Sequence, residues 1–212
     1  MTAGAFAEWL QPLPLVAILR GVKPEEVLDI GQVLVDAGIR IIEVPLNSPE
    51  PLSSIEKLST RFGEQILTGA GTVLDPASVP EVKAAGGRVI VMPHADAQVV
   101  QAARSHGMFA LPGFATPTEA FRMLEAGADA IKLFPAEASP PQVLKAIRAV
   151  LPTETAIIPV GGITPDKMRE YWQAGANGFG LGSALYKAGM SASEVADNTK
   201  RFTTAVEALR SA

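Results

Sequence analysis

The sequence predicts an α/β fold, a (β/α)8 TIM barrel with a short N-terminal helix. Short apolar runs typical of buried strands alternate with segments whose apolar residues recur at helical spacing, and this unit occurs about eight times. Strands that are apolar at nearly every position indicate a parallel sheet covered on its outer face, and eight such units close a barrel. No linker or low-complexity stretch divides the chain. We therefore expect one barrel domain over residues 1–212.

The first unit shows how each element is predicted. Residues 3–10 predict a short amphipathic helix, which two prolines end, and the apolar run 15–19 predicts the first strand. Pro24 lies where a helix can begin, and Gly38 is typical of its C-terminal end. The same signals predict later strands over residues 40–45, 66–73, 88–93, 108–113, 130–134, 156–162 and 178–183, and later helices over residues 51–62, 75–87, 96–106, 116–127, 140–151, 164–175 and 191–209.

The competing architecture is an open, doubly wound sheet. That fold usually carries a Gly-x-Gly-x-x-Gly turn after its first strand. Here the first turn reads RGVKP over residues 20–24, which lacks this fingerprint. The barrel is therefore the preferred prediction.

Composition excludes several classes of function. A net charge of -4 offers no basic stripe for nucleic acid and no polybasic membrane anchor. The chain has no cysteine, and its two histidines, His94 and His106, are far apart, so we expect no metal site. No leader-like or membrane-spanning run is recognisable in the sequence. We expect a cytoplasmic protein that needs no metal.

One lysine stands inside an apolar strand. Lys132 follows Ala130 and Ile131 and precedes Leu133 and Phe134. Desolvating an ammonium is costly, so a buried lysine tends to give up its proton, and its neutral amine can attack a carbonyl to form a Schiff base. The alternative is a surface lysine whose stem lies along an edge strand.

A glutamate occupies a similar position in the second strand. Glu43 lies among Ile41, Ile42 and Val44, where desolvation should raise the pKa of its carboxyl, as a general acid/base working near neutrality requires. The second and sixth strands lie roughly opposite each other in a barrel, so Glu43 and Lys132 are expected to converge on one ligand. The alternative is a structural ion pair between Glu43 and a cation such as Arg20.

Glycines follow the last two strands. Gly161 and Gly162, and then Gly182 with Ser183, lie where barrels often bind phosphate through backbone N–H groups and a helix N-terminus. This predicts a phosphorylated ligand held by a neutral cradle.

Two further polar side chains follow strand ends. Arg20 offers a fork for a carboxylate or phosphate, and Thr72 offers a hydroxyl. Their alternatives are a solvent-facing arginine and a plain β-branched strand residue.

Four segments resemble those of a known family. They read IEVPLNS at residues 42–48, GAGTVL at 69–74, KLFP at 132–135 and VGGI at 160–163. In this order they are similar to the signature segments of the class I 2-keto-3-deoxy-6-phosphogluconate and 4-hydroxy-2-oxoglutarate aldolase family. The resemblance runs over essentially the whole chain.

The resemblance implies roles for these residues. Lys132 would be the Schiff-base lysine and Glu43 the general acid/base. Arg20 and Thr72 would contact the pyruvate-end carboxylate. The phosphate would lie against Gly161, Gly162, Gly182 and Ser183. The family also implies a homotrimer that uses no metal and no organic cofactor.

Within the family, AILRG at residues 17–21 and PLNSP at 45–49 are similar to the galactonate branch. Asn47 stands where the gluconate branch usually has an arginine, which leaves Arg20 as the available cation. His94 departs from the asparagine or glycine expected after Pro93. The branch implies cleavage of 2-dehydro-3-deoxy-6-phospho-D-galactonate to pyruvate and D-glyceraldehyde 3-phosphate.

Three alternatives remain open at this point. The first is a gluconate-type aldolase, or one that accepts both epimers. The second is a phosphosugar isomerase or epimerase, which would keep the phosphate cradle but form no imine. The third is a non-catalytic barrel that binds sugar phosphates.

Overall fold

The computed structural model describes residues 5–211. The strands are β1 (Leu15–Ile18), β2 (Ile41–Pro45), β3 (Leu67–Gly71), β4 (Val89–Val91), β5 (Phe109–Leu111), β6 (Gly113–Phe114), β7 (Ile131–Leu133), β8 (Ile157–Pro159) and β9 (Phe179–Leu181). The helices are α1 (Ala5–Leu10), α2 (Val27–Asp36), α3 (Pro51–Phe62), α4 (Val79–Ala84), α5 (Ala97–Ser105), α6 (Pro117–Glu125), α7 (Pro141–Arg148), α8 (Met168–Gln173) and α9 (Ala192–Arg210).

All strand pairs are parallel, which confirms the predicted α/β class. Six strands form one sheet in the order β5-β4-β3-β2-β1-β9, and three form a second in the order β6-β7-β8. Only Pro112 separates β5 from β6, and Val160 at the end of β8 pairs with Gly180 of β9. Asn177 N also donates a hydrogen bond of 2.9 Å to Ile157 O across this second seam. The two sheets are therefore connected at both ends.

The predicted elements are found in the predicted order, and most are shorter than predicted, whereas α3 has its predicted bounds and α9 is shifted by one residue. The fifth predicted strand, residues 108–113, is divided into β5 and β6, because proline has no N–H to donate at position 112. The helix predicted over residues 75–87 is a 3-10 turn, Pro76–Ser78, followed by α4. Residues 3 and 4 of the predicted N-terminal helix lie outside the described residues.

Strand side chains alternate between two apolar cores. The larger core, which we call the outer core, lies between strands and helices and includes Ile42, Val44, Ile131 and Leu133. The smaller core, which we call the inner core, lies on the other face of the sheets and includes Phe6 and Leu10 of α1. Its other members are alternate residues of the strands and of the positions next to them: Val16, Ile18, Ile41, Leu67, Val89, Val91, Phe109, Leu111, Ala130, Ala156, Ile158 and Val160. Because side chains alternate along a strand, both faces of the sheets are buried.

Helix α1 covers the N-terminal ends of the strands. Phe6 packs edge-on against Phe109 at the start of β5, with ring centroids 5.7 Å apart. The guanidinium of Arg88, just before β4, lies 5.1 Å from the ring centroid of Trp9. The inner core is therefore closed at this end. Within residues 5–211, no helix is both long and apolar enough to cross a membrane.

Phe6→Ala should destabilise the fold strongly. The Phe6 side chain is 1% exposed, and removing a buried phenyl ring typically lowers the free energy of unfolding by about 3–5 kcal/mol. Phe121→Ala is the matched control, because Phe121 is 40% exposed and should lose less than about 1 kcal/mol. Urea unfolding measures both variants, and equal losses would contradict the assigned role of α1.

Candidate active site

Strand alternation directs Glu43 and Lys132 toward the inner core. Ile42 and Val44 belong to the outer core, so Glu43 between them faces inward. Lys132 faces inward for the same reason, because Ile131 and Leu133 on either side belong to the outer core. Two charged groups thus enter the interior among apolar side chains.

The two groups line one cavity of about 580 Å³. Seven of the eight predicted site residues line it: Arg20, Glu43, Lys132, Gly161, Gly162, Gly182 and Ser183. Thr72 is not in the lining but contacts the site through Arg20. The structure therefore brings the predicted residues together at the C-terminal ends of the strands.

Lys132 is buried. Its residue is 6% exposed, which overturns the alternative of a surface lysine on an edge strand. Its Nζ lies 4.7 Å from the ring centroid of Phe134. Burial lowers the pKa of Lys132, the Glu43 carboxylate opposes this shift, and the Arg20 charge adds to it. A lowered pKa increases the fraction of neutral, nucleophilic amine.

The pKa of Glu43 shifts in the opposite direction, upward. Glu43 is 2% exposed, and burial raises its pKa from 4.5 to about 7, although the charges of Lys132 and Arg20 oppose the shift. Its Oε2 is buried and makes no hydrogen bond within residues 5–211. The alternative of an ion pair with Arg20 is not found in that part of the chain. A carboxyl with a pKa near 7 can both accept and return a proton at neutral pH.

Gly71 makes room for the Glu43 carboxylate. It lies on β3, which pairs with β2 so that Glu43 is opposite Gly69. A Cβ atom at Gly71 would overlap the Glu43 carboxylate. Glycine at this position is therefore required by the orientation of the general acid/base candidate.

Arg20 is exposed at the cavity mouth, where two side chains accept hydrogen bonds from it. Its Nη1 donates to Asn47 Oδ1 at 2.6 Å, and its Nη2 donates to Thr72 Oγ1 at 3.2 Å. Thr72 has a φ of 54°, which is uncommon for a β-branched residue. Thr72 is therefore not a plain strand residue.

The glycine pair forms a turn with positive φ angles, 110° at Gly161 and 59° at Gly162. A Cβ at either position would overlap the side chain of Glu137. Lys167 Nζ donates a hydrogen bond of 3.0 Å to Gly162 O. The expected helix N-terminus is not at the glycines, because α8 begins at Met168 and α9 at Ala192. Any anion bound here would meet backbone and loop groups.

Sequence reasoning assigned no role to several cavity residues. Glu137 is one of them. It is a charged residue just after the predicted strand that contains Lys132, and this position could have identified it as a site residue. Tyr186 and Lys187 follow Gly182 and Ser183 in the same way. The hydrogen bond of 2.8 Å from Tyr186 Oη to Glu26 Oε1 joins distant parts of the chain, and no local signal predicts it.

His94 does not line the cavity. Its Nε2 lies 3.7 Å from Asp96 Oδ2, in the loop that leads to α5. Among residues 5–211, no three His, Cys, Asp or Glu side chains are grouped so that they could hold a metal ion.

Glu43→Gln should change how stability depends on pH. A pKa raised on folding favours the protonated carboxyl, so its contribution is complete below pH 4.5 and is lost as the pH rises through about 7. The wild type should therefore lose about 3 kcal/mol of unfolding free energy relative to Glu43→Gln over this range, at 1.36 kcal/mol per pKa unit. Urea unfolding at pH 4.5 and pH 7.5 measures it.

The exposed Glu25 supplies the matched control, Glu25→Gln, which should keep the wild-type pH dependence. A stability difference between wild type and Glu43→Gln that stays constant with pH would contradict the raised pKa.

Comparisons with known proteins agree with this geometry. The family model for KDPG and KHG aldolases matches residues 6–203. A 2-dehydro-3-deoxy-6-phosphogalactonate aldolase of Escherichia coli K12 is 44% identical over 198 residues, which are 93% of this chain and 97% of the relative.

Solved structures extend the comparison. The "Native KDPGal structure" superposes with a TM-score of 0.93 at 44% identity, covering 94% of this chain and 97% of that chain. A KDPG aldolase from Legionella pneumophila, with pyruvate captured as a covalent carbinolamine intermediate, superposes with a TM-score of 0.76 at 25% identity, covering 99% and 98% of the two chains. Because the family match spans nearly the whole chain that forms this cavity, the chain belongs to the KDPG and KHG aldolase family.

Proposed function

We propose that this chain is a class I aldolase that cleaves 2-dehydro-3-deoxy-6-phospho-D-galactonate to pyruvate and D-glyceraldehyde 3-phosphate. The observation that carries the proposal is the burial of Lys132 and Glu43 in one cavity, with the pKa of the lysine lowered and that of the glutamate raised. The first shift increases the neutral, nucleophilic fraction of the amine, and the second lets the carboxyl exchange protons near neutral pH. The reaction needs neither a metal nor an organic cofactor.

Covalent catalysis begins at the ketone. Neutral Lys132 Nζ attacks C2, and the carbonyl oxygen takes up a proton to give a carbinolamine. Loss of water then leaves an iminium ion, which withdraws electrons from C3. The carbinolamine formed with pyruvate in the Legionella pneumophila relative supports this order of events.

Glu43 moves the protons of the cleavage step. Its carboxylate, acting through a water molecule, takes the proton of the C4 hydroxyl while the C3–C4 bond breaks. The bonding electrons pass to the iminium and give an enamine, and the aldehyde product leaves. Glu43 then returns a proton to C3, and hydrolysis of the iminium releases pyruvate and free Lys132.

The two ends of the substrate require different groups. Arg20, oriented by Thr72 Oγ1 at 3.2 Å, would bind the carboxylate next to the ketone. The phosphate would lie against backbone N–H groups of Gly161, Gly162, Gly182 and Ser183, which line the same cavity. After cleavage, pyruvate would stay near Arg20 and glyceraldehyde 3-phosphate near the glycines.

The choice of the galactonate epimer rests on the relatives. The Escherichia coli relative that is 44% identical is named for the galactonate substrate. Its epimer, 2-keto-3-deoxy-6-phosphogluconate, differs at one hydroxyl carbon, and the rival assignments are an aldolase for that epimer or for both. Rates of pyruvate release from the two sugar acids decide between them, and we expect faster release from the galactonate epimer.

The assembly and the barrel belong to the same proposal. Counting β5 and β6 as one strand interrupted at Pro112 gives eight parallel strands, which is the number in a closed (β/α)8 barrel. We also propose a cytoplasmic homotrimer. A structural neighbour at 44% identity belongs to a protein cage "designed by fusing symmetric oligomeric domains", which supports self-association.

Borohydride reduction in the presence of pyruvate should trap a covalent adduct on Lys132. The reduced adduct adds one pyruvyl group to the intact mass and should map to the peptide that contains Lys132. Lys132→Met should form none, because it removes the buried amine of the cavity, whereas Lys187, which also lines it, is exposed.

Lys145→Met is the matched control, since Lys145 is exposed on α7 and should leave the adduct intact. Absence of any adduct in folded wild-type protein would overturn the aldolase proposal and favour an isomerase or a sugar-phosphate binder.

A further inference from the structure

Arg20 needs a fixed orientation if it is to bind a carboxylate. The residue is exposed at the end of β1, and a long exposed side chain normally samples many rotamers. A group that must meet a carboxylate in a fork geometry gains from being held before the ligand arrives. The question is therefore what holds the guanidinium.

Asn47 accepts the shorter of the two side-chain hydrogen bonds that Arg20 donates. Nη1 donates to Asn47 Oδ1 at 2.6 Å, whereas Nη2 donates to Thr72 Oγ1 at 3.2 Å. A guanidinium has five N–H donors, so these two bonds leave three for a ligand. Asn47 is also neutral, and its bond orients the guanidinium without cancelling its charge.

The backbone around Arg20 is attached to the same turn. Gly21 N donates a hydrogen bond of 2.9 Å to Ser48 Oγ, and Ser48 is 8% exposed. Leu46 N donates at 2.8 Å to Gly71 O, beside Thr72. The turn after β2 therefore connects the ends of β1 and β3, and it fixes both the backbone and the side chain of Arg20.

We propose that Asn47 is a positioning residue, which orients Arg20 toward the carboxylate of the keto acid. This inference rests on the proposed function, in which Arg20 binds that carboxylate. Asn47 acts through Arg20 and does not itself touch the reacting atoms. Its removal should weaken binding of the keto acid and leave the chemistry at Lys132 intact.

Borohydride trapping tests the inference with two ketones. Asn47→Ala should raise the pyruvate concentration needed for half-maximal trapping by about five- to twentyfold, with the maximal rate within about twofold, since one charge-assisted hydrogen bond is lost. Acetone, which has no carboxylate, should be trapped equally by wild type and variant. A general structural defect would instead weaken the trapping of both ketones.

A double-mutant cycle isolates the dependence on Arg20. Arg20→Ala should raise the half-maximal pyruvate concentration, and adding Asn47→Ala should have no further effect, because Asn47 acts only through the arginine. Asn47→Asp keeps the hydrogen-bond acceptor but adds a negative charge beside the guanidinium. It should therefore weaken the trapping of pyruvate and leave the trapping of acetone unchanged. Glu25→Ala, at an exposed position, is the control for the fold.

The outcomes separate the inference from the function on which it rests. If wild type forms no pyruvate adduct, or if Arg20→Ala leaves pyruvate binding unchanged, the proposed function or its carboxylate contact is wrong. If Arg20→Ala weakens pyruvate binding while folded Asn47→Ala does not, the positioning role is overturned, whatever the effect of Asn47→Asp. Additive effects of Arg20→Ala and Asn47→Ala would overturn it as well.

Discussion

The site depends on placing an amine and a carboxyl together inside an apolar interior. Either group as an isolated ion would be costly to desolvate. Together they moderate each other, because the Lys132 charge opposes the rise in the pKa of Glu43 and the Glu43 charge opposes the fall in that of Lys132. The shifts that remain have the directions that Schiff-base chemistry requires, downward for the amine and upward for the carboxyl.

The fold places these two groups in the interior without disturbing the packing of their strands against the helices. Alternation along β2 and β7 keeps apolar neighbours in the outer core, so each strand contributes one polar group to the interior without losing its packing against the helices. Gly71 leaves space for the carboxylate, and α1 closes the opposite end of the inner core. Arg20 lies after the C-terminal end of β1, where the loops after β1, β2 and β3 are joined by hydrogen bonds.

Sequence alone predicts the parts of this account that rest on periodicity and on local chemistry. Apolar runs and glycine or proline boundaries located the strands, and a charge inside such a run identified Lys132 and Glu43. It could not predict that Asn47 contacts Arg20 across 27 residues of chain, or that Thr72 adopts a positive φ. Those features depend on how distant loops meet, which has no period in the sequence. For the same reason the side chain of Glu137 against the glycine turn was not foreseen.

Burial makes the Lys132 ammonium more acidic than that of an ordinary lysine, and the proposed chemistry depends on this shift. NMR titration of protein carrying ¹³C at the lysine ε carbon, with the Lys132 signal assigned from its loss in Lys132→Met, measures this directly. We expect a midpoint below 10.5 in wild type, and a still lower midpoint in Glu43→Gln, because the Glu43 charge raises the pKa of the amine. A midpoint at or above 10.5 in folded wild-type protein would contradict it.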